Sequence, residues 1–307
     1  MNKYIKKKLL FLFPTRFISK NFNPIILYHS LGSNLHFDRN IDHVEPQILE
    51  KQLNAVKKYW SFVKIDDYVE AKNKKGLACL TIDDGYKNVL EESLEIFEKL
   101  KIPITIFVNS STFKGKIFWR DKVRYLIKKK LVGEFIKDSQ IFKQEHLDIF
   151  YLISKNPKFN SIEVENEIDK FFIKKNLNIN FGHSYCFDNN KYLINHPLIS
   201  YGNHSANHYV LSSLNKDQQL NEILECKNFL NNFNINKSDV FCIPFGGKKC
   251  FNKDTISILN KLKYKVTLLS ENKLNDARNN NQIDRFMPKN SDIIETIKTL
   301  YLKTYSN

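Results

Sequence analysis

The sequence predicts an α/β fold with a parallel sheet and crossover helices, interrupted once by a helical insertion. Two observations carry this. Short apolar runs of strand length, each closing on a turn or polar loop, alternate with stretches of helical periodicity near both ends of the chain. Between about residues 114 and 197 that alternation stops and the pattern is mostly helical. With 307 residues, 42% hydrophobic and 26% charged, the chain can bury a sizeable core as one large α/β domain or two small ones.

The elements follow in order. Residues 1–23 form a basic arm in which Lys3, Lys6, Lys7 and Lys8 precede Leu9 to Phe13 and Pro14 interrupts. Its apolar run is shorter than the roughly 7–15 residues of a secretory signal core. It is also far short of the about 20 residues that span a bilayer. Such an arm suits the surface of a membrane or packs as a terminal helix. Pro24 to His29 reads as a buried first strand with His29 at its C-terminal tip, and Pro46 starts a helix with Leu49, Leu53, Val56 and Trp60 on one face. Phe62 to Ile65 reads as a strand, Asp66 to Lys72 as a brief helix and Leu77 to Ile82 as a buried strand. A helix is expected from Tyr86 and stops before Pro103; Ile104 to Val108, rich in β-branched residues, is the next strand.

Within the insertion, Trp119–Lys130 and Ser161–Asn176 are the helical candidates. The strand–helix rhythm resumes at Leu198 to Tyr201. A helix from Lys216 follows, with Asn215 and Gln218 as a capping pair. Then come an apolar strand from Val240 ending at Pro244-Phe245-Gly246, a helix over Lys253–Lys263, a strand over Lys265–Leu269, the segment Gln282 to Pro288, and a closing helix from Asp292.

The formal charge of +15 favours acidic partners. The lysines are dispersed, however, as on a solvated surface, and no clustered basic stripe exists beyond the N-terminal arm, so no nucleic acid is expected. Five cysteines without a CxxC pair, two of them (Cys79 and Cys242) inside strand patterns, indicate a reducing compartment. The expected location is the cytoplasm, with peripheral contact at the inner face of the membrane through the arm.

The chemistry gathers where strands end. Asp83 and Asp84 close the strand Leu77 to Ile82, and Gly85 lets the chain turn sharply behind them. Two adjacent carboxylates repel, so a cation or a shared proton is needed to hold both. His204 and His208 follow another strand end at i, i+4 spacing, which in a helical turn places both rings on one side. With one carboxylate they make a three-ligand face of the kind that holds a catalytic metal. The same spacing also occurs in ordinary surface pairs. His183 and His196 lie in polar loops and read as surface residues.

Together these motifs resemble the polysaccharide deacetylase family, the NodB-homology fold of carbohydrate esterase family 4. Thr81-Ile82-Asp83-Asp84-Gly85 is similar to its T-F-D-D-G motif, His204-Ser205-Ala206-Asn207-His208 to its H-[ST]-x-x-H motif, and Pro244-Phe245-Gly246 to its P-[YF]-G motif, in the same order. Tyr28-His29 resembles the Tyr-His of the branch that deacetylates biofilm and surface polysaccharides. The likeness runs from about Pro24 to Pro288 and is weakest in the insertion.

The resemblance implies a deformed (β/α) barrel with fewer strands than the usual eight. It also implies a hydrolase that removes an N-acetyl or other N-acyl group from an amino sugar. In this reading Asp84, His204 and His208 hold a divalent metal, zinc in the first place, with cobalt, nickel, manganese or iron also accepted by such a set. Asp83 is the general base, and the Phe245 N–H holds the oxyanion. The chain has no histidine after His208, so the general acid passes to His29. Cys242 and Ile243 occupy the place of the family's third-motif arginine, so Arg285 is the candidate to pair with Asp83. The substrate is a glycan or a lipid-linked sugar. A carbohydrate-binding protein on a degenerate deacetylase fold is the alternative. Trp119 and Phe118 read as anchors of the insertion or as sugar-stacking rings, and Tyr86 and Tyr209 sit next to motifs.

Overall fold

The computed structural model describes residues 14–32, 43–177, 185–272, 281–288 and 292–304. Its β-strands are Ile25–Tyr28 (β1), Ser30–Leu31 (β2), His43–Val44 (β3), Ser61–Phe62 (β4), Leu77–Ile82 (β5), Ile104–Val108 (β6), Ile199–Asn203 (β7), Lys237–Cys242 (β8), Val266–Leu269 (β9) and Gln282–Asp284 (β10). In the main sheet the order is β1-β5-β6-β7-β8-β9-β10, every pair is parallel, and β4 pairs with the start of β5. Just past β10, Phe286 pairs with β1: the Leu27 N–H donates to the Phe286 carbonyl at 2.9 Å, and the Phe286 N–H to the Ile25 carbonyl at 3.1 Å. The sheet is thereby a nearly closed parallel barrel, and all its strands point their C-terminal ends to one rim.

The two faces of the strands separate the core into layers, as a period of two requires. Ile25, Cys79, Phe107, Cys242, Leu268 and Ile283 fall in the cluster inside the barrel. Ile26, Leu80, Ile82, Ile104, Ile106 and Ile199 pack outward beneath helices that include Pro46–Lys57 and Leu94–Leu100. The helix Ile65–Glu70 contacts both β5 and β8 and closes the end of the barrel opposite the rim. The basic arm, as far as it is described, is the helix Thr15–Asn21, with Ile18 fully buried in the outer core; residues 1–13 lie outside the described residues. Among the described residues no helix is long and apolar enough to cross a membrane.

The insertion has its own core. The helices Trp119–Lys128, Val132–Asp138, Phe150–Ile153 and Ser161–Lys174 gather Trp119, Phe135, Phe142, Phe150, Phe171 and Phe172 into one aromatic cluster. Residues 185–197 return to the barrel instead. The Phe187 N–H donates to the Gly85 carbonyl at 2.8 Å, and Cys186 and Phe187 join the barrel's outer core.

Three local expectations need correction. The strand expected over Phe62–Ile65 is only Ser61–Phe62, and Ile65 already begins a helix. The helix expected from Tyr86 is two short pieces, Asn88–Glu91 and Leu94–Leu100. Buried hydrogen bonds to the first strands split it: Asn88 Nδ2 donates to Ser30 Oγ at 2.8 Å and Ser93 Oγ to the Leu31 carbonyl at 2.9 Å. The segment His204–His208 is a loop and not a helical turn, because Ser205 and His208 adopt left-handed backbone, with φ of 66° and 59°. The capping box of Asn215 and Gln218 and the start of a helix at Pro46 are as the sequence indicates.

Candidate active site

The rim where the strands end collects the polar side chains. His29 follows β1, Asp83 and Asp84 follow β5, His204 follows β7, Cys242 ends β8, and Arg285 follows β10. Of these, His29, Asp83, Asp84 and His204 line a cavity of about 170 Å³ that is also lined by Phe245 and, from the insertion, by Arg120, Tyr151 and Lys155. Asp84, Gly85, His208 and Phe245 all have positive φ, between 59° and 70°. For a residue with a Cβ this costs on the order of 1 kcal/mol. The tight turns turn three non-glycine side chains into the cavity at that cost.

Asp84, His204 and His208 bring one ligand atom each to within 4.8 Å of one another. Asp84 Oδ1 lies 3.5 Å from His204 Nε2 and 3.3 Å from His208 Nε2. It is buried and accepts no hydrogen bond among the described residues. His204 Nδ1 sits 3.0 Å from the Cys242 carbonyl. A carbonyl only accepts, so Nδ1 carries a proton and Nε2 is the nitrogen turned toward the carboxylates; burial opposes charge on this ring, but its neighbours, Asp83 and Asp84 among them, hold it well above the usual imidazole range. Burial holds His208 well below the usual imidazole range against the pull of Asp84, and the charge of His204 adds to the lowering. A neutral His208 ring, a His204 ring oriented by its Nδ1–H and a carboxylate oxygen without a partner among the described residues are what a divalent cation requires. These residues fit a metal. Asp83, His204 and Cys242 form a second set within the same distance, but Asp83 is otherwise engaged.

Arg285 holds Asp83. Its Nη1 donates to Oδ1 and its Nη2 to Oδ2, each at 2.7 Å, a bidentate pair in which both residues are buried. The guanidinium is fixed further by bonds from Nε to the Leu269 carbonyl at 3.0 Å and from Nη1 to Thr81 Oγ1 at 3.2 Å. Burial pushes the Asp83 carboxyl up, yet Arg285, His204 and His29 together outweigh it and leave the group below its ordinary value. Arg285 thus reaches Asp83 from just past β10, with Cys242 Sγ beside it at 3.0 Å from Nη2. Replacing Arg285 with Met is expected to destabilise the fold by about 3–5 kcal/mol, the usual result of leaving one buried charge alone. It should also raise the Asp83 pKa, since burial then acts unopposed by the guanidinium. Thermal unfolding and an NMR titration of Asp83 check both; an unmoved midpoint contradicts the first.

The sequence matches the model of one family, described as polysaccharide deacetylase, over residues 70–134 and 171–267. The chain belongs to the polysaccharide deacetylase family. Among curated proteins it finds no match. Among solved structures it is similar to the deacetylase PplD of Streptococcus pyogenes in complex with acetate, at 15% identity, with 90% of this chain and 96% of that chain covered and a TM-score of 0.53. It is also similar to IcaB from Ammonifex degensii, at 13% identity, 91% and 96% coverage and a TM-score of 0.54. A de-N-acetylase from Aggregatibacter actinomycetemcomitans aligns at 12% identity over 91% and 99% of the two chains, again with a TM-score of 0.54. At these identities the likeness is one of fold, and it agrees with the deacetylase barrel.

The remaining deacetylase candidates fall as follows. His29 is half-buried on the cavity wall, with Nδ1 buried and without a hydrogen-bond partner among the described residues. It is close enough for its charge to lower both Asp83 and Asp84. The Phe245 N–H has no backbone acceptor among the described residues, and the Phe245 ring packs on His208 with centroids 4.5 Å apart. Trp119 is a buried anchor: its Nε1 donates to the His208 carbonyl at 3.0 Å. Phe118 packs edge-on against His208 at 5.2 Å. Tyr86 lines the cavity, whereas Tyr209 turns into the insertion and donates to Glu165. His196 pairs with Glu98 at 3.1 Å, and His183 lies outside the described residues.

What sequence reasoning missed is the wall given by the insertion: Arg120, Arg124, Tyr151 and Lys155. Its signal in the sequence was that Arg120 and Arg124, at i, i+4, share a helix face next to Phe118 and Trp119.

Proposed function

We propose that this polysaccharide deacetylase is a metal-dependent hydrolase that removes an N-acetyl, or another N-acyl, group from an amino sugar of a surface polysaccharide or its lipid-linked precursor. The observation that carries the reading is the division of labour between the two adjacent aspartates. Asp84 faces both histidines with an oxygen that has no hydrogen-bond partner among the described residues, whereas Asp83 is gripped at both oxygens by Arg285 and approaches His204 alone, at 3.8 Å. Asp84, His204 and His208 would hold the cation, with zinc the first candidate. When bound there, a divalent ion supplies Lewis acidity, which polarises an acyl carbonyl and makes a nearby water more acidic.

The chain's own residues do the rest. Asp83, ionised throughout the neutral range and fixed by Arg285, accepts the proton of the attacking water as its oxygen bonds to the carbonyl carbon. The Phe245 N–H donates to the oxygen on which negative charge develops; Pro244 has no N–H to offer. When the C–N bond breaks, His29 delivers a proton to the departing nitrogen. The products are a carboxylate and a free amine on the sugar. The dispersed positive charge and the basic arm suit a cytoplasmic enzyme that meets an anionic membrane face.

Acetate release from N-acetylated amino-sugar oligosaccharides tests the reading directly. Release should stop on treatment with a chelator and return when zinc or cobalt is added back. Release that persists after complete removal of metal would overturn the metal-dependent mechanism. No release from any acylated amino sugar by the metal-loaded protein would favour the carbohydrate-binding alternative.

A further inference from the structure

The cavity carries more positive charge than deacetylation uses. Asp83 is neutralised by Arg285, and Asp84 faces the histidines. Across from them, Arg120, Arg124 and Lys155 converge from the insertion. Arg124 pairs with Asp121 at 2.7 Å. Neither Arg120 nor Lys155 has a carboxylate within ion-pair distance among the described residues. Arg120 is 1% exposed, and its Nη1 and Nη2 donate to Ser154 Oγ at 2.9 Å and the Tyr151 carbonyl at 3.0 Å. Its Nε–H is buried with no acceptor among the described residues. The guanidinium lies over the rings of Trp119 and Tyr151 at 4.7 and 4.6 Å. Lys155 Nζ lies 5.2 Å from the Tyr151 ring and 5.3 Å from the Phe245 ring. Two cations share one aromatic floor, and no described residue places an anion between them.

That arrangement is unfavourable as it stands. Burial lowers Arg120 to about 10, with Arg124 adding to the effect, and burial together with Arg120 lowers Lys155. A buried cation without a partner is destabilising, and one that also leaves a donor unsatisfied is more so. An anion entering the cavity would relieve both costs through charge-assisted hydrogen bonds. We propose that Arg120 and Lys155 form a subsite for an anionic substituent of the substrate, a phosphate or a carboxylate, next to the acylamino group that is hydrolysed. Phe245 fixes the neighbourhood: its ring borders Arg120 and Lys155 on one side and His208 on another. The anion therefore belongs to the same sugar or the one beside it. Arg120 lies within the stretch that the family model matches, whereas Tyr151 and Lys155 fall within residues 135–170, which it does not match, so the Lys155 half of the subsite belongs to this chain's own insertion. The word substrate rests on the deacetylase reading; the affinity for an anion does not.

Two measurements test the proposal. In the first, inorganic phosphate is titrated calorimetrically into the metal-loaded protein and into Lys155→Met and Arg120→Lys variants. Lys155 is half-buried and its replacement leaves the insertion's core intact, so this variant carries the test should the Arg120 variant misfold. Binding should weaken about tenfold or more in Lys155→Met. Unchanged binding, or no binding to the parent protein, overturns the subsite. In the second, kcat/KM is compared for N-acetylglucosamine 1-phosphate, N-acetylmuramic acid and the neutral methyl N-acetylglucosaminide. A preference for the phosphate or the carboxylate names the source of the anion, and the ratio over the neutral sugar should fall about tenfold in Lys155→Met. Equal rates on all three overturn the subsite and leave the deacetylase reading standing. Phosphate binding that depends on Lys155 without hydrolysis of any acylated sugar does the reverse.

Discussion

Asp83→Asn is expected to lower acetate release by about 10²–10⁴-fold, the range over which a positioned general base acts, while the content of divalent metal stays unchanged. The amide keeps the volume of the carboxylate and one of its oxygens, but it cannot take a proton from water. It also leaves Arg285 facing a neutral group inside the barrel, so a loss of stability should accompany the loss of rate. The two effects separate by measurement. Metal content by elemental analysis and the unfolding midpoint report on structure, and the rate per folded molecule reports on the base. Asp84→Asn should give the opposite pattern, in which metal is lost along with activity. If Asp83→Asn lost its metal and Asp84→Asn did not, the two roles would have to be exchanged. The distinction rests on geometry, since Oδ1 and Oδ2 of Asp83 are both occupied by Arg285 while Asp84 Oδ1 is free to face the histidines.

The parts of this site that the sequence makes legible are those set by a single strand end. Asp83 and Asp84 must appear at the rim because the apolar run before them is a buried parallel strand and Gly85 turns the chain. The same holds for His204, His29 and Phe245, each just past its own strand. Periodicity failed where the backbone left regular structure for a tertiary reason. His204 and His208 do meet, but through left-handed residues in a loop that Trp119 and Asn109 pin from other elements: Asn109 Nδ2 donates to the His204 carbonyl at 2.6 Å. The pairing of Arg285 with Asp83 joins residues 202 positions apart and depends on the closure of the barrel, which no local pattern encodes. The cationic wall was hidden for a related reason. Helical spacing shows that Arg120 and Arg124 share a face, but not that this face is buried against the rim of the barrel.

His29 is the test of how far that rim has been read correctly. His29→Ala is expected to lower acetate release by about 10²–10⁴-fold with metal content unchanged. Loss of rate alone does not separate a proton donor from a wall residue, but the leaving group does. An alkylamine leaves only when protonated, whereas a nitroanilide nitrogen departs with far less help. The loss in His29→Ala should therefore shrink by at least about tenfold when the scissile bond is an activated anilide, because proton donation to the leaving group matters less as its basicity falls. A residue that merely shapes the cavity would reduce both reactions alike. The position supports the first outcome: the histidine follows β1, directly beside the strand that leads to Asp83 and Asp84, and its Nδ1 is buried without a hydrogen-bond partner among the described residues. An imidazole so placed has a hydrogen-bonding atom that no described residue uses, and the amine produced by the reaction is the group that would meet it. Near-normal turnover in His29→Ala on the sugar substrate would remove it from the mechanism and require the proton to reach the amine through Asp83 after it has accepted it from water.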